Sequence, residues 1–289
     1  MPTIAELTLY PIKSCAGIPL REAVVTPAGL SHQFIYDREW MVVDETGRFL
    51  TQREYPKMAL IQPTISSDML VLRAPGMLQL DIPLDLPTPE LSRTLQVQVW
   101  DDVVTAYDCD AVTAAWFSNA VGTPCRLVRF HADAKRLASK KWTGDVDVPT
   151  LFSDGYPMLL ISSASLDDLN GRLRAQGRSA IPMNRFRPNI VVNGIEAYEE
   201  DYAESFDIEG RDGRGSIVLK PVKPCPRCPM PSVDQATGEF GPDPMDILQT
   251  YRANPLVDGG ITFGMNLILT AGEEQVLRVG DQVDVQLAF

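Results

Sequence analysis

Residues 40–52 read WMVVDETGRFLTQ, and this stretch carries the clearest fold signal in the chain. Residues 40–44, an apolar run of four that ends at Asp44, are typical of a strand. Residues 45–48 form a turn around a glycine, and residues 49–52 resume the strand pattern. Further short strands, separated by Pro, Gly and Asp, are predicted at residues 4–10, 58–64, 69–73, 77–82 and 95–99. Short strands at this spacing favour an antiparallel barrel or sandwich in the N-terminal part of the chain.

Two helices and a second set of strands are predicted in the remainder. Asp110 is placed to cap a helix that ends before Gly122, and residues 162–170 begin another helix with a hydroxyl cap and acidic first-turn side chains. The shared apolar face of the first helix is predicted to contain Val112, Ala115, Trp116 and Ala120. Residues 131–153 read as a long polar surface loop. Strands at residues 125–129, 189–192, 204–208, 216–222 and 282–287 complete a β-rich α+β fold.

The composition limits the kinds of partner. The chain has 289 residues, which suffices for one large domain or two packed domains, and 26 basic against 38 acidic residues give a net charge of −12. Nucleic-acid-binding proteins neutralise phosphates with basic residues, so no nucleic-acid partner is expected. No segment approaches the ~18 apolar residues that cross a bilayer, and the N-terminus lacks a signal-peptide pattern. We therefore expect a cytoplasmic protein with reduced cysteines and no membrane partner.

Residues 223–230 read KPCPRCPM and contain a C-x-x-C pair, Cys225 and Cys228. Such a pair is half a zinc site, a redox pair or a coincidence. A structural zinc site needs four ligands, but the chain has no second pair and its two histidines are isolated. A thioredoxin-like pair opens a helix, which the surrounding prolines forbid. The remaining alternatives are cysteines buried in a Pro-rich turn, or one thiol held beside Lys223 and Arg227 as a nucleophile or soft metal ligand.

Basic residues stand at several predicted strand ends. Lys13 and Ser14 follow the first strand, Arg38 precedes another, Arg53 ends a third and Arg187 leads into a fourth. Each arginine alone is better explained by a surface ion pair than by a ligand contact, but as a set they are suited to binding a phosphate or a carboxylate. No phosphate-binding P-loop, dinucleotide glycine motif or hydrolase nucleophile motif is present. The residues alone therefore predict an anion site and an activated cysteine.

Motifs in the same order and spacing resemble those of the MOSC family, which includes a domain of molybdenum cofactor sulfurases, the mitochondrial amidoxime-reducing components and bacterial reductases of N-hydroxylated bases. The resemblance implies an N-terminal β-barrel domain at residues 1–125, packed on a β-barrel MOSC domain with a few helices at residues 126–289. The motifs are YPIKSCAG at residues 10–17, DREW at 37–40, TQR at 51–53, DGYP at 154–157, FRPN at 186–189, PRC at 226–228, TG at 237–238 and FGMN at 263–266.

The resemblance also implies a molybdenum cofactor, in which molybdopterin binds the metal. Cys228 matches the cysteine that ligates molybdenum, so it is predicted as metal ligand and catalytic residue, whereas Cys225 has no metal role. Asp154 is predicted as a second catalytic residue that relays protons, with helix or turn capping as the alternative. The implied cofactor contacts are Lys13, Ser14, Arg38, Gly155, Tyr156, Arg187, Asn189, Arg227 and Asn266. At two of these places the sequence departs from animal relatives, which carry hydroxyl residues instead of Gly155-Tyr156 and an aromatic residue instead of Asn266.

The implied activity is the reduction of small N-hydroxylated compounds, such as hydroxylamines, amidoximes and N-hydroxylated bases, to amines. One bacterial branch of the family carries a fused plant-type ferredoxin, whose cluster the remaining cysteines cannot build. Electrons are therefore expected from a separate ferredoxin or flavin reductase. Two alternatives stay open: a protein that handles persulfide sulfur during cofactor sulfuration, and a carrier that holds the cofactor without turnover.

Overall fold

The computed structural model describes residues 1–85, 93–211 and 213–288, in which 20 strands and four α-helices are found. Strands β1 to β10 are Thr3–Leu9, Ile18–Leu20, Glu22–Thr26, Gly29–His32, Ile35–Tyr36, Trp40–Val43, Gln62–Ser66, Met69–Arg73, Leu80–Pro83 and Thr94–Val99. Strands β11 to β20 are Asp102–Asp108, Arg126–Phe130, Met158–Ser162, Ile190–Asn193, Ala203–Ile208, Ile217–Pro226, Ala253–Asn254, Gly260–Ala271, Val276–Arg278 and Asp284–Leu287. Helices α1 to α4 are Ala111–Val121, Lys140–Thr143, Ser163–Ala175 and Met245–Gln249. The predicted β-rich α+β class is confirmed.

The largest sheet has nine strands in the order β2-β1-β14-β13-β18-β16-β15-β20, with β17 paired to β18. Most neighbours are antiparallel, but β13 and β14 are parallel and α3 connects them. A parallel pair needs such a crossover because its two strands run in the same direction. Two four-stranded sheets, β10-β11-β12-β6 and β19-β3-β4-β5, and one three-stranded sheet, β7-β8-β9, complete the fold.

Backbone ladders join the two halves of the chain. The first strand, β1, pairs antiparallel with β14, and β19 pairs antiparallel with β3 near the N-terminus. One continuous core of buried apolar side chains includes Leu7 from β1, Leu160 from β13 and Leu267 from β18. The two predicted domains therefore share β-sheets and a hydrophobic core. The boundary between residues 125 and 126 stays a prediction. Phe289, the predicted end of the second domain, lies outside the described residues.

The caps of both predicted helices are confirmed, and the predicted buried face of α1 is right in part. The Asp110 carboxylate accepts from the Thr113 backbone N–H at 2.8 Å, and Ser162 caps α3 by accepting from the Ser165 N–H at 3.1 Å. Gly122 ends α1 in the left-handed conformation at φ 85°. Val112 is 73% exposed, and Ala115 is exposed as well. Trp116 is buried and Ala120 packs against the core as predicted, but Thr113, Phe117 and Val121 complete the buried face in place of Val112 and Ala115.

Several strand predictions need correction. Residues 49–52 form only a bridge from Phe49 to Val43, because the chain turns and the Gln52 amide donates inward to the Ser14 carbonyl at 2.8 Å. Residues 58–60 belong to a 3₁₀ helix, Pro56–Leu60, which begins with a proline, and the strand starts only at β7. The strand predicted at residues 77–82 starts at Leu80. The longest strand, β18, and the buried strand β13 were not predicted. The continuous apolar run of β13 lacks the period-two alternation of a half-exposed strand, whereas residues 261–267 of β18 do alternate and offered a signal that the prediction missed.

Among the described ranges, no helix has the length and apolar character needed to cross a bilayer. All five cysteines are free. Cys15 lies in the main core, where burial raises the pKa of its thiol to about 12. Such a thiol is inert at neutral pH because the thiolate is the reactive form.

Candidate active site

A solvent-open cleft with about 830 Å³ of empty space, called the central cleft below, contains all the predicted site residues. Its lining includes Lys13, Ser14, Arg38, Asp154, Gly155, Tyr156, Arg187, Asn189, Arg227, Cys228 and Asn266. It also includes Thr51, Arg53, Trp100, Ser153, Met158, Leu159, Phe186, Cys225, Pro226 and Met230. The structure thus brings together residues from distant parts of the sequence, and the chemical role of each stays a prediction.

The order of strands in the large sheet explains this convergence. Lys13 follows β1, Arg187 and Asn189 precede β14, and Asp154 precedes β13, so these segments meet where three adjacent strands begin or end. Asn266 lies within β18, level with Leu159 on β13. The pairing of β16 with β18 shifts register at several places, and such bulges bend a strand. Arg227 and Cys228 line the cleft directly beyond this irregular segment.

Four cleft residues have left-handed backbones although none is glycine. Ser14 has φ 67°, Arg38 has φ 51°, Trp100 has φ 54° and Arg187 has φ 56°. Each such position costs about 1–3 kcal/mol, and these conformations concentrate at functional sites. Surrounding hydrogen bonds hold them, as when the Arg38 N–H donates to the Tyr10 carbonyl at 2.7 Å. Contacts within the fold therefore hold these cleft residues in backbone conformations that their local propensities do not favour.

Asp37, a buried carboxylate, organises one wall of the cleft. It accepts from the Tyr10 backbone N–H at 2.8 Å, from the Asn189 amide at 2.9 Å and from the Arg38 guanidinium. Burial raises the pKa of Asp37, although Arg38 and these donors act in the opposite direction. The guanidinium of Arg38 also lies 4.4 Å from the centroid of the Tyr10 ring. Asp37 belongs to the DREW motif but is not among the predicted site residues, because only its buried position in the fold identifies this role.

The side-chain amide of Asn189 is occupied by protein partners. Its nitrogen donates to Asp37 and to the Thr8 carbonyl at 3.2 Å. Its oxygen accepts from the Leu159 N–H and from Arg38, each at 3.2 Å. With both donors and the oxygen engaged, Asn189 holds the strands of the wall together and leaves direct recognition of a ligand to its neighbours.

Lys13 and Asp154 form an ion pair at the cleft. The Lys13 ammonium is buried and donates to the Asp154 carboxylate at 2.5 Å and to the Phe152 carbonyl at 2.9 Å. Desolvation works against ionisation of Asp154, but the charge and hydrogen bond of Lys13, with Arg38 and the Trp100 N–H, hold its pKa well below the usual range. An ionised carboxylate accepts hydrogen bonds and has no proton to give. In this state Asp154 anchors Lys13 and Trp100, and its proton-relay role stays a prediction.

Several buried polar atoms of the cleft residues have no partner among the described residues. They are Nη1 and Nη2 of Arg187, Nε of Arg227, Oγ of Ser153 and Oη of Tyr156. Arg187 is only 6% exposed, and burial together with the Arg38 charge lowers its pKa to about 10. A buried guanidinium without a counter-ion is unfavourable unless an anion binds it. Beside Gly155 there is open space, since a Cβ there would meet no protein atom within 4 Å. The cleft therefore fits a polar group that carries an anion.

The C-x-x-C segment is extended, as its prolines predicted. Cys225 is the second-to-last residue of β16, and Cys228 lies two residues beyond the end of that strand. Arg227 donates to the Cys225 sulfur at 3.1 Å and to the Phe186 carbonyl at 2.8 Å, so its charge is directed at the first cysteine. No group of three or more His, Cys, Asp or Glu side chains suited to a metal occurs within residues 1–85, 93–211 and 213–288. The zinc alternative therefore gains no support.

Arg136 is a buried residue behind the cleft lining that the sequence did not reveal. It lies in the segment predicted as a polar surface loop, yet its guanidinium donates to the carbonyls of Leu151 at 3.0 Å, Ser153 at 2.6 Å and Asp154 at 3.2 Å. A further bond at 2.6 Å ties it to Asp102 on β11. The loop prediction is thus wrong at Arg136, whose hydrogen bonds fix the backbone that carries Asp154.

Known proteins resemble the chain along nearly its whole length. The model of the MOSC N-terminal beta barrel domain matches residues 1–124, and that of the MOSC domain matches residues 147–284. The chain is 37% identical to mitochondrial amidoxime reducing component 2 of Homo sapiens over 254 residues, 86% of this chain and 72% of that protein. It is 32% identical to mitochondrial amidoxime-reducing component 1 of Homo sapiens over 97% of this chain and 82% of that protein.

A longer relative matches as well. The chain is 34% identical to molybdenum cofactor sulfurase of Bos taurus over 97% of its own length, but this spans only 32% of that protein. Both domain models match in the order that the motifs indicated, and the relatives exceed 30% identity over most of the chain. The chain therefore belongs to the MOSC family.

Proposed function

We propose that this protein is a molybdenum-cofactor-dependent oxidoreductase that reduces small N-hydroxylated compounds to amines. For a hydroxylamine the balanced reaction is R–NHOH + 2 H⁺ + 2 e⁻ → R–NH₂ + H₂O. The observation that carries the proposal is the buried guanidinium of Arg187, which lies in the same cleft as Cys228 and has no counter-ion among the residues that the structure describes. The names of the amidoxime-reducing relatives support the reaction class.

The residues that would hold the cofactor are those with unsatisfied polar atoms. Arg187 would bind its phosphate, while Arg227, Ser153 and Tyr156 would bond the polar edges of the pterin. Cys228 would supply a soft thiolate, the ligand type that suits a metal already bound by sulfur. When bound, the cofactor supplies a redox centre that exchanges two electrons with the substrate.

The remaining cleft residues would orient the substrate. The ionised Asp154 accepts hydrogen bonds, and its partner Lys13 keeps it charged, so it can bind the N–H groups of an amidoxime or a hydroxylated base. Asp37 and Arg38 would keep Tyr10 and Asn189 in place behind the cofactor. The electrons would come from a separate ferredoxin or flavin reductase, and the cytoplasmic location expected from the sequence is part of the proposal.

The relative named molybdenum cofactor sulfurase favours a second candidate, in which Cys228 carries sulfur during sulfuration of the cofactor. The two candidates differ in turnover. Purified protein from a cofactor-competent host should contain about one molybdenum per chain without stoichiometric zinc, and should reduce benzamidoxime with reduced viologen but not with NADH alone. Bound cofactor without any such turnover would favour the sulfur-handling candidate or a cofactor carrier, and zinc in place of molybdenum would exclude all three.

A further inference from the structure

Arg53 is the one cationic residue of the central cleft, among the described residues, whose role the proposed function leaves open. Five cationic side chains line the cleft: Lys13, Arg38, Arg53, Arg187 and Arg227. Lys13 pairs with Asp154, Arg38 pairs with Asp37, and Arg227 bonds Phe186 and Cys225. Arg53 has no ion pair in the part of the chain that the structure describes. Its side-chain hydrogen bond runs from Nε to the Thr51 hydroxyl at 3.3 Å.

Trp100 supports the guanidinium of Arg53 at the mouth of the cleft. The guanidinium carbon lies 4.9 Å from the centroid of the Trp100 ring, and the indole N–H donates to Asp154 at 3.1 Å. Trp100 begins the two-residue turn between β10 and β11 and has a left-handed backbone at φ 54°. That conformation is unfavourable for a bulky residue. Stacking occupies the flat face of a guanidinium and leaves its N–H edge available to an oxyanion.

The two unpaired arginines of the cleft differ in accessibility. Arg187 is 6% exposed, whereas Arg53 is half-buried and rests on Trp100, which is 39% exposed. A resident cofactor with one phosphate neutralises one of them, and the buried Arg187 suits a group that does not leave. A substrate that enters and departs in every turnover must meet an accessible group. Arg53 is therefore left for an anion on the exchanging molecule.

We propose that Arg53, supported by Trp100, is a specificity-determining residue that selects N-hydroxylated substrates bearing an anionic group, a phosphate or a carboxylate. This inference rests on the proposed function and narrows its substrate class. An N-hydroxylated base in the form of its nucleotide satisfies it, as does an amidoxime with a carboxylate substituent. In both, the charge lies away from the reacting nitrogen and can bind Arg53 while that nitrogen lies deeper in the cleft.

Two matched substrate series test the proposal and separate phosphate from carboxylate. The first compares N-hydroxyadenosine with its 5′-monophosphate, and the second compares benzamidoxime with the analogue carrying a carboxylate on the ring. Arg53→Gln should lower kcat/KM about tenfold for the anionic members, the effect of one charged hydrogen bond, and less than twofold for the neutral ones. Loss confined to one series would identify the anion and support the proposal. Equal losses for charged and neutral members would overturn it.

Arg48→Gln is the matched control, because Arg48 lies five positions earlier, pairs with Glu54 on the surface and does not line the cleft. It removes the same charge and should leave all four kcat/KM values unchanged.

Equilibrium binding distinguishes failure of this inference from failure of the proposed function. The wild-type protein should bind adenosine monophosphate about tenfold more tightly than adenosine, and Arg53→Gln should abolish the difference. If no compound is reduced but this difference holds, the anion site stands and the reductase proposal falls. Equal binding of both ligands by the wild type, together with equal binding of benzamidoxime and its carboxylate analogue, would refute the anion site.

Discussion

The ammonium of Lys13 meets the carboxylate of Asp154 at 2.5 Å, although 141 positions separate the two residues in the sequence. Lys13 follows β1, and Asp154 precedes β13 on a segment whose carbonyls Arg136 holds. The pair joins the N-terminal and C-terminal parts of the chain at the cleft. It is also asymmetric, since the lysine is buried whereas the Asp154 side chain is 73% exposed.

Asp154→Asn should destabilise the protein at neutral pH and have a smaller effect in acid. Lys13 lowers the pKa of Asp154 in the folded state, so the carboxylate contributes stability above its unfolded pKa of about 3.9 and loses it as pH falls through the folded value. Because the carboxylate is largely exposed, we expect a cost of about 1 kcal/mol at neutral pH. Thermal unfolding of both proteins across the acid range measures the difference. Asp147→Asn, which breaks an exposed ion pair with Lys140, should lower the stability less at neutral pH. A stability difference between Asp154→Asn and the wild type that does not vary with pH would contradict the lowered pKa of Asp154.

Glu200 should show the opposite pH dependence. Burial raises the pKa of Glu200, although the Ser165 hydroxyl and the Ser162 N–H donate to one of its carboxylate oxygens and act in the opposite direction. The other carboxylate oxygen is buried without a partner among the described residues. A raised pKa means that stability is fully present below the unfolded value of about 4.3 and is lost as pH rises through the folded value. Glu200→Gln stays neutral throughout, so its stability relative to the wild type should increase from acid to neutral pH. Unfolding in urea at several pH values measures this trend. A constant difference would show that folding leaves the pKa of Glu200 unchanged, and a decreasing difference would show that folding lowers it.

The elements around the cleft were partly predictable from the sequence. Capping residues such as Asp110 and Ser162 act through neighbouring backbone groups, so local pattern sufficed to place both helices. The buried strand β13 was not predicted because its apolar run lacks alternation, and the segment after Arg48 turns inward because the Gln52 amide donates to the Ser14 carbonyl. These outcomes depend on contacts between distant residues, which a local pattern does not contain.

Residues of the cleft were identified by resemblance more than by pattern. Arg38 and Arg187 look in sequence like ordinary surface arginines, and only the fold places both against Tyr10, at 4.4 Å and 4.2 Å from its ring centroid. Arg136 and Asp37 carry no local signal at all, because their roles consist of hydrogen bonds to segments far away in the chain. The resemblance also could not indicate which arginine lacks a counter-ion, since that depends on the packing around each one.

Arg187→Met should stabilise the cofactor-free protein and impair cofactor binding. The guanidinium is buried with two unsatisfied nitrogens, and replacing such a charge by an apolar side chain is favourable by roughly 1–2 kcal/mol. Thermal unfolding of cofactor-free protein and molybdenum content after expression in a competent host measure the two effects. Arg185→Met is the matched control, because Arg185 is equally buried but pairs with Asp234 at 2.7 Å, and its loss should destabilise by about 3 kcal/mol. Destabilisation of cofactor-free protein by both variants would show that Arg187 already has a partner.

The two cysteines of the C-x-x-C segment should respond differently to serine substitution. Cys228→Ser should abolish viologen-driven reduction, because a hard hydroxyl oxygen does not replace a soft thiolate on a sulfur-bound metal. Part of the cofactor should remain bound, since Arg187 and its neighbours hold the phosphate and pterin independently of that bond. Cys225→Ser should keep most activity, because the Cys225 sulfur contacts Arg227 at 3.1 Å and a serine oxygen can accept the same hydrogen bond. Molybdenum content and reduction rate measured in parallel distinguish the mechanisms. A disulfide-cycling or zinc mechanism requires both thiols and predicts equal losses, whereas full activity of Cys228→Ser would remove this cysteine from the reaction.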